Sequence, residues 1–327
     1  GLDPFHRKQV RNDYPLLALW EMGVRNLRLP LDDLTDPHTL DRVSELARLG
    51  HRFTAYSYGL PKGKAREALM SHRHTLSAWE LIAPITSAPE LLADIAALKG
   101  TLPVYFNTYR ADGGTFSSSH GLDPDERGAI RALISLVGAT EAIDGIVFGI
   151  DWCAAPIPAM IAAGNSVAGL GVMAAVHVQF AHLSPLDQTH THLHDINRIA
   201  ETVVGALCYV DTAVFLDNFT GIDRGYYFSG GLVDRLYNPI SGAEIVRNVQ
   251  ATLPAGCTIE TTKENNYGRA VKLQGPDAVL LLPSCNAEPE NLPYSLSTTS
   301  GRWIDLTSGE STCRQQTLNG PTLITFQ

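Results

Sequence analysis

The feature that most constrains this chain is a strand-then-helix alternation that repeats at intervals of about 25 to 40 residues between positions 26 and 253. Short apolar runs typical of buried parallel strands are each followed by a stretch with helical composition. Repeats of this kind fold into a parallel sheet covered by helices. The predicted strands begin at Asn26, Arg52, Ala78, Pro103, Gly145, Gly171 and Ala213.

The number of predicted strands indicates a TIM-type (β/α)8 barrel whose first strand is missing or irregular. Seven strands are predicted, whereas a closed barrel of this type needs eight. The chain opens with a helix that runs into Asn26, so the remaining strand would precede residue 1 or lie in Leu2–Val10. An open parallel sheet is the alternative that this count leaves open.

Near residue 255 the strand-helix pattern of the sequence ends, which predicts that a second domain begins there. From Thr258 onward the sequence consists of short β-prone runs divided by Gly, Pro, Asn and Ser. We therefore expect an α/β barrel domain over residues 1–255 and a small antiparallel β-sandwich domain over residues 256–327. Trp303 is expected to lie in the core of the second domain.

Composition excludes several partners. The 327 residues carry a formal net charge of −9, which argues against nucleic acid or an anionic membrane surface as a partner. The longest apolar runs fall short of the roughly 18 residues of a membrane span. The chain opens Gly1-Leu2 without an initiator Met or a signal peptide. We expect a cytoplasmic piece of a longer polypeptide, with an upstream domain as a candidate partner.

The cysteines predict thiols rather than a disulfide framework. They are five in number, widely spaced and never in a C-x-x-C pair: Cys153, Cys208, Cys257, Cys285 and Cys313. This pattern is typical of a reducing compartment. A disulfide among the last three is left open.

Polar side chains follow several predicted strands directly. Asp217 and Asn218 follow the apolar run Ala213–Leu216, and Asp151 follows Gly145–Ile150. In parallel barrels the carboxyl ends of the strands form the face at which ligands bind. A helix cap or a loop anchor is the alternative role for any single one of these aspartates.

The arrangement resembles glycoside hydrolases that combine a (β/α)8 barrel with a C-terminal β-sandwich. Three stretches carry the resemblance: Leu216-Asp217-Asn218, the run 223–227 ahead of 231–235, and the turn 302–309. It implies hydrolysis of an oligosaccharide or polysaccharide. The largest retaining clan of these enzymes places glutamates after two strands, whereas no glutamate follows a predicted strand end here. The resemblance therefore implies an aspartate pair, or a non-catalytic carbohydrate-binding or accessory module of a larger protein.

Asp151 and Asp217 are the predicted catalytic pair, because glycoside hydrolysis needs two carboxyl groups across the scissile bond. Trp152 would desolvate Asp151 and raise its pKa, which makes Asp151 the better acid. The residues predicted to bind substrate are polar or aromatic groups at or near strand ends: Asp32, Tyr56, Tyr58, Asn107, Tyr109, Trp152, His177, Gln179, Asn218 and Asp223. No cofactor is expected.

A histidine-rich segment gives a further alternative. His190, His192 and His194 alternate along the chain, as in some metal sites. Because the segment leads into a predicted helix, alternate side chains there would point about 200° apart. No metal is therefore expected, and a metal-dependent hydrolase or phosphoesterase-associated domain remains the third hypothesis.

Overall fold

The computed structural model describes residues 13–108, 121–123, 128, 131–133, 135, 141–180, 192–216, 219–223, 228–229, 231–294, 301–313 and 317–326. Among them, no helix is both long enough and apolar enough to cross a membrane. The segment Leu2–Val10, in which a further strand was predicted, lies outside the described residues.

A parallel sheet of seven strands forms the larger part of the structure. Each strand pairs with the next in chain order, as βα repeats require. The strands are β1 (Asn26–Pro30), β2 (Arg52–Tyr58), β3 (Leu76–Ile82), β4 (Val104–Asn107), β5 (Gly145–Ile150), β6 (Met173–Val178) and β7 (Ala213–Leu216). All seven predicted strands are confirmed.

Helices connect these strands: α1 (Asp13–Glu21), α2 (Pro37–Arg48), α3 (Gly63–His72), α4 (Ala88–Lys99), α5 (Pro156–Val167), α6 (His192–Cys208) and α7 (Ser241–Thr252). The signals that bound α2 are local. Asp36 caps its first turn by accepting a hydrogen bond from the Thr39 amide at 2.9 Å, and Pro37 occupies the first helical position. Gly50 follows the helix with φ +90°, a conformation that favours glycine.

The sheet is curved into a barrel-like ring. A flat sheet would separate β3 from β6 by about 14 Å, three strand spacings. Instead, His177 Nε2 on β6 lies 3.5 Å from Glu80 Oε2 on β3. Around the outside, a Cβ added to Gly23 after α1 would lie 2.9 Å from Gln250 Oε1 on α7, so the first and last helices are neighbours. The predicted barrel class is thus confirmed over an open sheet.

The outward faces of the strands bury large apolar side chains beneath the helices. Phe53, Trp79, Phe106 and Phe148 belong to one continuous core with the helices. Burying each such side chain contributes about 1.5–3 kcal/mol, so this layer is a main source of stability.

After the barrel comes a short hairpin of β8 (Ile222–Asp223) and β9 (Phe228–Ser229). A six-stranded antiparallel sheet follows, with the strands β10 (Thr258–Asn265), β11 (Gly268–Gln274), β12 (Ala278–Pro283), β13 (Gly301–Asp305), β14 (Ser311–Thr312) and β15 (Thr322–Phe326). Their order across the sheet is β10-β11-β12-β15-β13-β14. The predicted change to antiparallel β structure is confirmed, while the boundary at residue 255 stays a prediction.

The two faces of this sheet have different neighbours. Val271, Leu273 and Leu280 on one face share the barrel's core. Trp303 and Ile324 lie on the other face, in a separate small cluster. Trp303 is buried, as predicted.

Cys208 and Cys257 meet where α6 ends and the antiparallel sheet begins. Their Sγ atoms are 3.0 Å apart, and burial raises the pKa of the Cys208 thiol. Cys285 and Cys313 are both exposed. Cys257 is thus next to Cys208, a pairing that the sequence analysis did not consider.

Candidate active site at the carboxyl ends of the strands

The interior of the barrel has two layers, because alternate residues of each strand face inward. Ala78, Tyr105, Val147 and Ala175 form a lower apolar layer. Two residues further along three of these strands, towards their carboxyl ends, come Glu80, Asn107 and His177. Together with Arg28 of β1 they form what we call the polar layer.

Glu80 is the centre of the polar layer and has no exposed surface. Arg28 binds both of its carboxylate oxygens, with Nε 2.6 Å from Oε2 and Nη2 3.0 Å from Oε1. Asn107 Nδ2 donates to Oε1 at 2.5 Å. Strands β1, β3 and β4 are therefore joined through one carboxylate inside the barrel.

Glu80 is held in its charged form. Burial alone would raise its pKa, but His177 and Arg28 outweigh that effect and hold the pKa below the ordinary value of 4.5. The paired carboxylate is thus a fixed negative group and not a proton donor at neutral pH. Its charge is compensated by Arg28, as a buried ion needs.

Two buried polar atoms of this layer lack a hydrogen-bond partner among the described residues. They are Asn107 Oδ1 and His177 Nε2, the latter lying 3.5 Å from Glu80 Oε2, beyond a strong hydrogen bond. The His177 ring packs edge-on against Phe215, with the ring centroids 5.0 Å apart. Buried polar groups are normally satisfied, so both atoms are candidates to bind a ligand or water.

A cavity of about 450 Å³ opens beside the polar layer, at the carboxyl ends of β1 and β2. We call it the mouth cavity. Asp32, Tyr56, Tyr58 and Lys62 contribute to its lining. Its size and its mixture of rings and polar groups suit a small-molecule ligand.

Tyr56 connects the mouth cavity to the polar layer. The Arg28 guanidinium lies over the Tyr56 ring at 3.9 Å, and the Tyr58 ring meets Tyr56 edge-on with the ring centroids 5.8 Å apart. Burial raises the pKa of the Tyr56 hydroxyl, which is therefore protonated at neutral pH. Tyr58 is 58% exposed and presents an aromatic surface at the rim.

Arg198 of α6 holds the backbone directly after β5 and directly after β6. Its guanidinium donates to the backbone carbonyls of Asp151 and Gln179, both at 2.9 Å, and to that of Ala154. Burial lowers the pKa of Arg198 to about 10, which leaves it charged at neutral pH. One buried cation thus fixes the backbone at two predicted site positions.

Asp151 and Trp152 are both half-buried at the end of β5. The Trp152 ring lies 6.1 Å from that of His194, the third residue of α6. The loop after β5 therefore lies against the start of α6.

Several predicted site residues come together and others cannot be placed. Tyr56, Tyr58 and Asp32 share the mouth cavity, and Asn107 and His177 share the polar layer. Tyr109, Asp217 and Asn218 lie outside the described residues, as does the side chain of Asp223, whose backbone belongs to β8. The catalytic and substrate-binding roles stay predictions.

The histidine segment is described in part. His190 lies outside the described residues, whereas His192 and His194 begin α6. Within the described part of the chain, no group of three or more His, Cys, Asp or Glu side chains could hold a metal ion.

Arg28 and Glu80 were not predicted as site residues. The sequence analysis selected aspartates that follow strands and aromatic or neutral polar residues at or near strand ends, and it did not consider charged residues inside strands. A signal for them exists nevertheless: each is the single charged residue of its strand, in NLRLP and LSAWELI. A buried strand tolerates a charge only when it is paired, so each of the two charges calls for a partner.

No protein-family model and no curated protein matches this chain. Solved structures do. An Anoxybacillus alpha-amylase, described as giving insight into a new glycosyl hydrolase subclass, is similar with a TM-score of 0.50 and 11% identity over 97% of this chain and 89% of that one. At this identity the likeness concerns the fold, a barrel of glycoside hydrolase type followed by a β domain, which confirms the resemblance at the level of the fold.

A calcium-binding mutant of Bacteroides uniformis beta-glucuronidase 2 is similar with a TM-score of 0.47 and 11% identity. That match covers 95% of this chain and 39% of the other.

Proposed function

We propose that this chain is a glycoside hydrolase that binds an oligosaccharide or polysaccharide at the carboxyl-terminal face of its barrel, with Asp151 and Asp217 as the catalytic carboxyl pair. The observation that carries the proposal is the polar layer beside the mouth cavity. On one face of the barrel it combines fixed charges, tyrosine rings and buried polar atoms that have no hydrogen-bond partner among the described residues.

This combination suits a sugar, which has many hydroxyl groups and an apolar ring face. Asn107 Oδ1 would accept a hydrogen bond from a hydroxyl and His177 Nε2 would pair with another. Tyr58 would stack on the ring face at the rim. Asp32, Tyr109, Trp152, Gln179, Asn218 and Asp223 complete the proposed substrate-binding set.

We assign the proposed chemistry to the aspartates because the carboxylate of Glu80 is already paired with Arg28. That carboxylate is buried, bound by Arg28 on both oxygens, and held below its ordinary pKa, so it orients the interior and does not transfer a proton. Asp151 follows β5 next to Trp152, and Asp217 follows β7. One carboxyl would protonate the leaving oxygen, and the other would attack the sugar or activate water.

Hydrolysis assays on a panel of oligosaccharides and aryl glycosides test this proposal. We expect Asp151→Asn and Asp217→Asn each to lower the turnover rate by at least about a thousandfold, since each removes one of the two catalytic groups. Asp41→Asn, at an exposed position of α2, is the matched control and should retain full activity. Near wild-type turnover in either active-site variant would rule out the aspartate pair.

A second candidate is a non-catalytic carbohydrate-binding or accessory module of a larger protein. The pairing of Glu80 favours it, because Glu80 is the polar layer's carboxylate among the described residues and its negative charge is already balanced by Arg28. The same panel separates the two candidates: saturable sugar binding without any turnover would support the module and contradict the enzyme.

A further inference from the structure

A second cavity, of about 210 Å³, lies between the start of α6 and the antiparallel sheet. We call it the junction cavity. Residues from both sides line it, including Ala155, Asn197, Arg198, Glu201, Arg269 and Ser284. A water occupies about 30 Å³ of liquid, so the cavity has room for several waters or one small molecule.

The charges around the junction cavity balance one another. Arg269 Nη1 binds both oxygens of Glu201, at 2.9 and 2.8 Å, and its Nη2 binds Glu264 at 2.9 Å. Arg198, 4% exposed, donates to backbone carbonyls. Two arginines thus face two glutamates, and a ligand that carries a net charge would meet no excess of the opposite sign.

Two polar atoms at this cavity are buried and have no hydrogen-bond partner in the described part of the chain. Arg198 Nε is a donor and Asn197 Oδ1 is an acceptor. The Asn197 amide group is oriented by its Nδ2, which donates to the Pro283 carbonyl at 2.7 Å. A molecule with several hydroxyl groups can supply both an acceptor for the first atom and a donor for the second.

From these observations we infer that the junction cavity is a binding site for a small neutral polyhydroxy molecule, a polyol or a single sugar unit. The site is separate from the mouth cavity and does not require the proposed hydrolase activity. Arg198 lines the junction cavity and also holds the carbonyls of Asp151 and Gln179, so a ligand bound there contacts the group that fixes the backbone at these two positions.

Isothermal titration of the full chain with glycerol, myo-inositol and glucose tests this site. We expect at least one of them to bind with a stoichiometry near one. Ala155→Leu should weaken binding at least tenfold, because the larger side chain occupies cavity volume. Ser284→Leu, at an exposed position of the cavity lining, should act in the same way and serves as a second variant if the first does not fold. Ala251→Leu, at an exposed position of α7, is the matched control and should bind like the wild type.

Three results would overturn the inference: no binding of any of these molecules, binding that both cavity variants leave unchanged, or binding that is lost in Tyr56→Ala but kept in Ala155→Leu. The last result would assign the ligand to the mouth cavity. Loss of hydrolysis in Asp151→Asn with unchanged polyol binding would show that polyol binding at this site does not depend on the proposed hydrolase activity.

Discussion

Glu80 is the residue on which the interior of the barrel depends most. Arg28 and Asn107 donate hydrogen bonds to its carboxylate, and His177 lies 3.5 Å from it. Glu80 has no exposed surface, and Arg28 balances its charge. Removing one partner of a buried pair leaves an uncompensated charge, which is more costly than losing the same pair at the surface.

We therefore predict that Glu80→Gln lowers the free energy of unfolding by about 3 kcal/mol, since it removes the carboxylate that Arg28 binds inside the barrel. Glu45→Gln breaks an equally short pair with Arg48, but on an exposed face of α2, and should cost less than about 1 kcal/mol. Urea denaturation followed by circular dichroism measures both. Equal losses in the two variants would contradict the account of the polar layer.

The acid dependence of stability should identify the same residue. Because the folded pKa of Glu80 lies below the ordinary 4.5, the unfolded state binds the proton more readily, and stability falls as the pH drops through about 4.5 and below. The wild type should therefore lose stability more steeply with acid than Glu80→Gln. Parallel acid curves would show that Glu80 is not held as a carboxylate.

Single residues at the site were the part least accessible to prediction. Asn107 and His177 were predicted because they lie at or near the ends of their strands, whereas Arg28 and Glu80 are charged residues inside strands. Their meeting depends on the curvature of the ring, which no local pattern encodes. Tyr56 and Tyr58 are two residues apart on β2 and so share a face of the strand, and their rings do lie together.

At the scale of elements, α6 joins the barrel to the antiparallel sheet. Its Glu201 is 3% exposed, and burial raises the pKa of that carboxyl although Arg269 of β11 opposes the rise. Asn197 of α6 and Asn248 of α7 donate to backbone carbonyls of the sheet, at Pro283 and Leu306. The junction is therefore polar at its edges and apolar where the shared core continues.

Arg269→Ala should lower the free energy of unfolding by about 3 kcal/mol, because it leaves Glu201 buried without its partner. The matched control is Arg247→Ala, which breaks a more exposed pair with Glu244 on α7 and should cost less than about 1 kcal/mol. Chemical denaturation compares the two variants directly. A small loss in Arg269→Ala would mean that the pair contributes little to the junction.

The elements themselves were predictable because each carries its own signal. The apolar runs placed all seven barrel strands, and Asp36 and Gly50 are local signals in the sequence that bound α2. The pairing of Cys208 with Cys257 was not predicted, because it brings together positions 49 residues apart. Only the docking of the sheet against α6 creates that contact.

At the scale of the whole molecule, the apolar layers and the proposed binding face occupy different levels of the barrel. The apolar lower layer and the outer core hold the barrel together, while the polar layer and the mouth cavity lie at the carboxyl ends of the strands. This division is common in barrels of this type, because loops at that end can vary without disturbing the core. The central claim is that a carbohydrate binds there.

The measurement that tests this claim most directly is a thermal-shift titration with a panel of oligosaccharides on the wild type, Tyr58→Ala and Tyr267→Ala. Tyr58 is 58% exposed at the mouth and Tyr267 is 46% exposed on the antiparallel sheet, so neither substitution should disturb the fold. We predict that a sugar raises the midpoint of the wild type and of Tyr267→Ala, and that Tyr58→Ala binds about tenfold more weakly. A sugar-induced shift that survives Tyr58→Ala but disappears in Tyr267→Ala, or no shift with any sugar, would contradict the account.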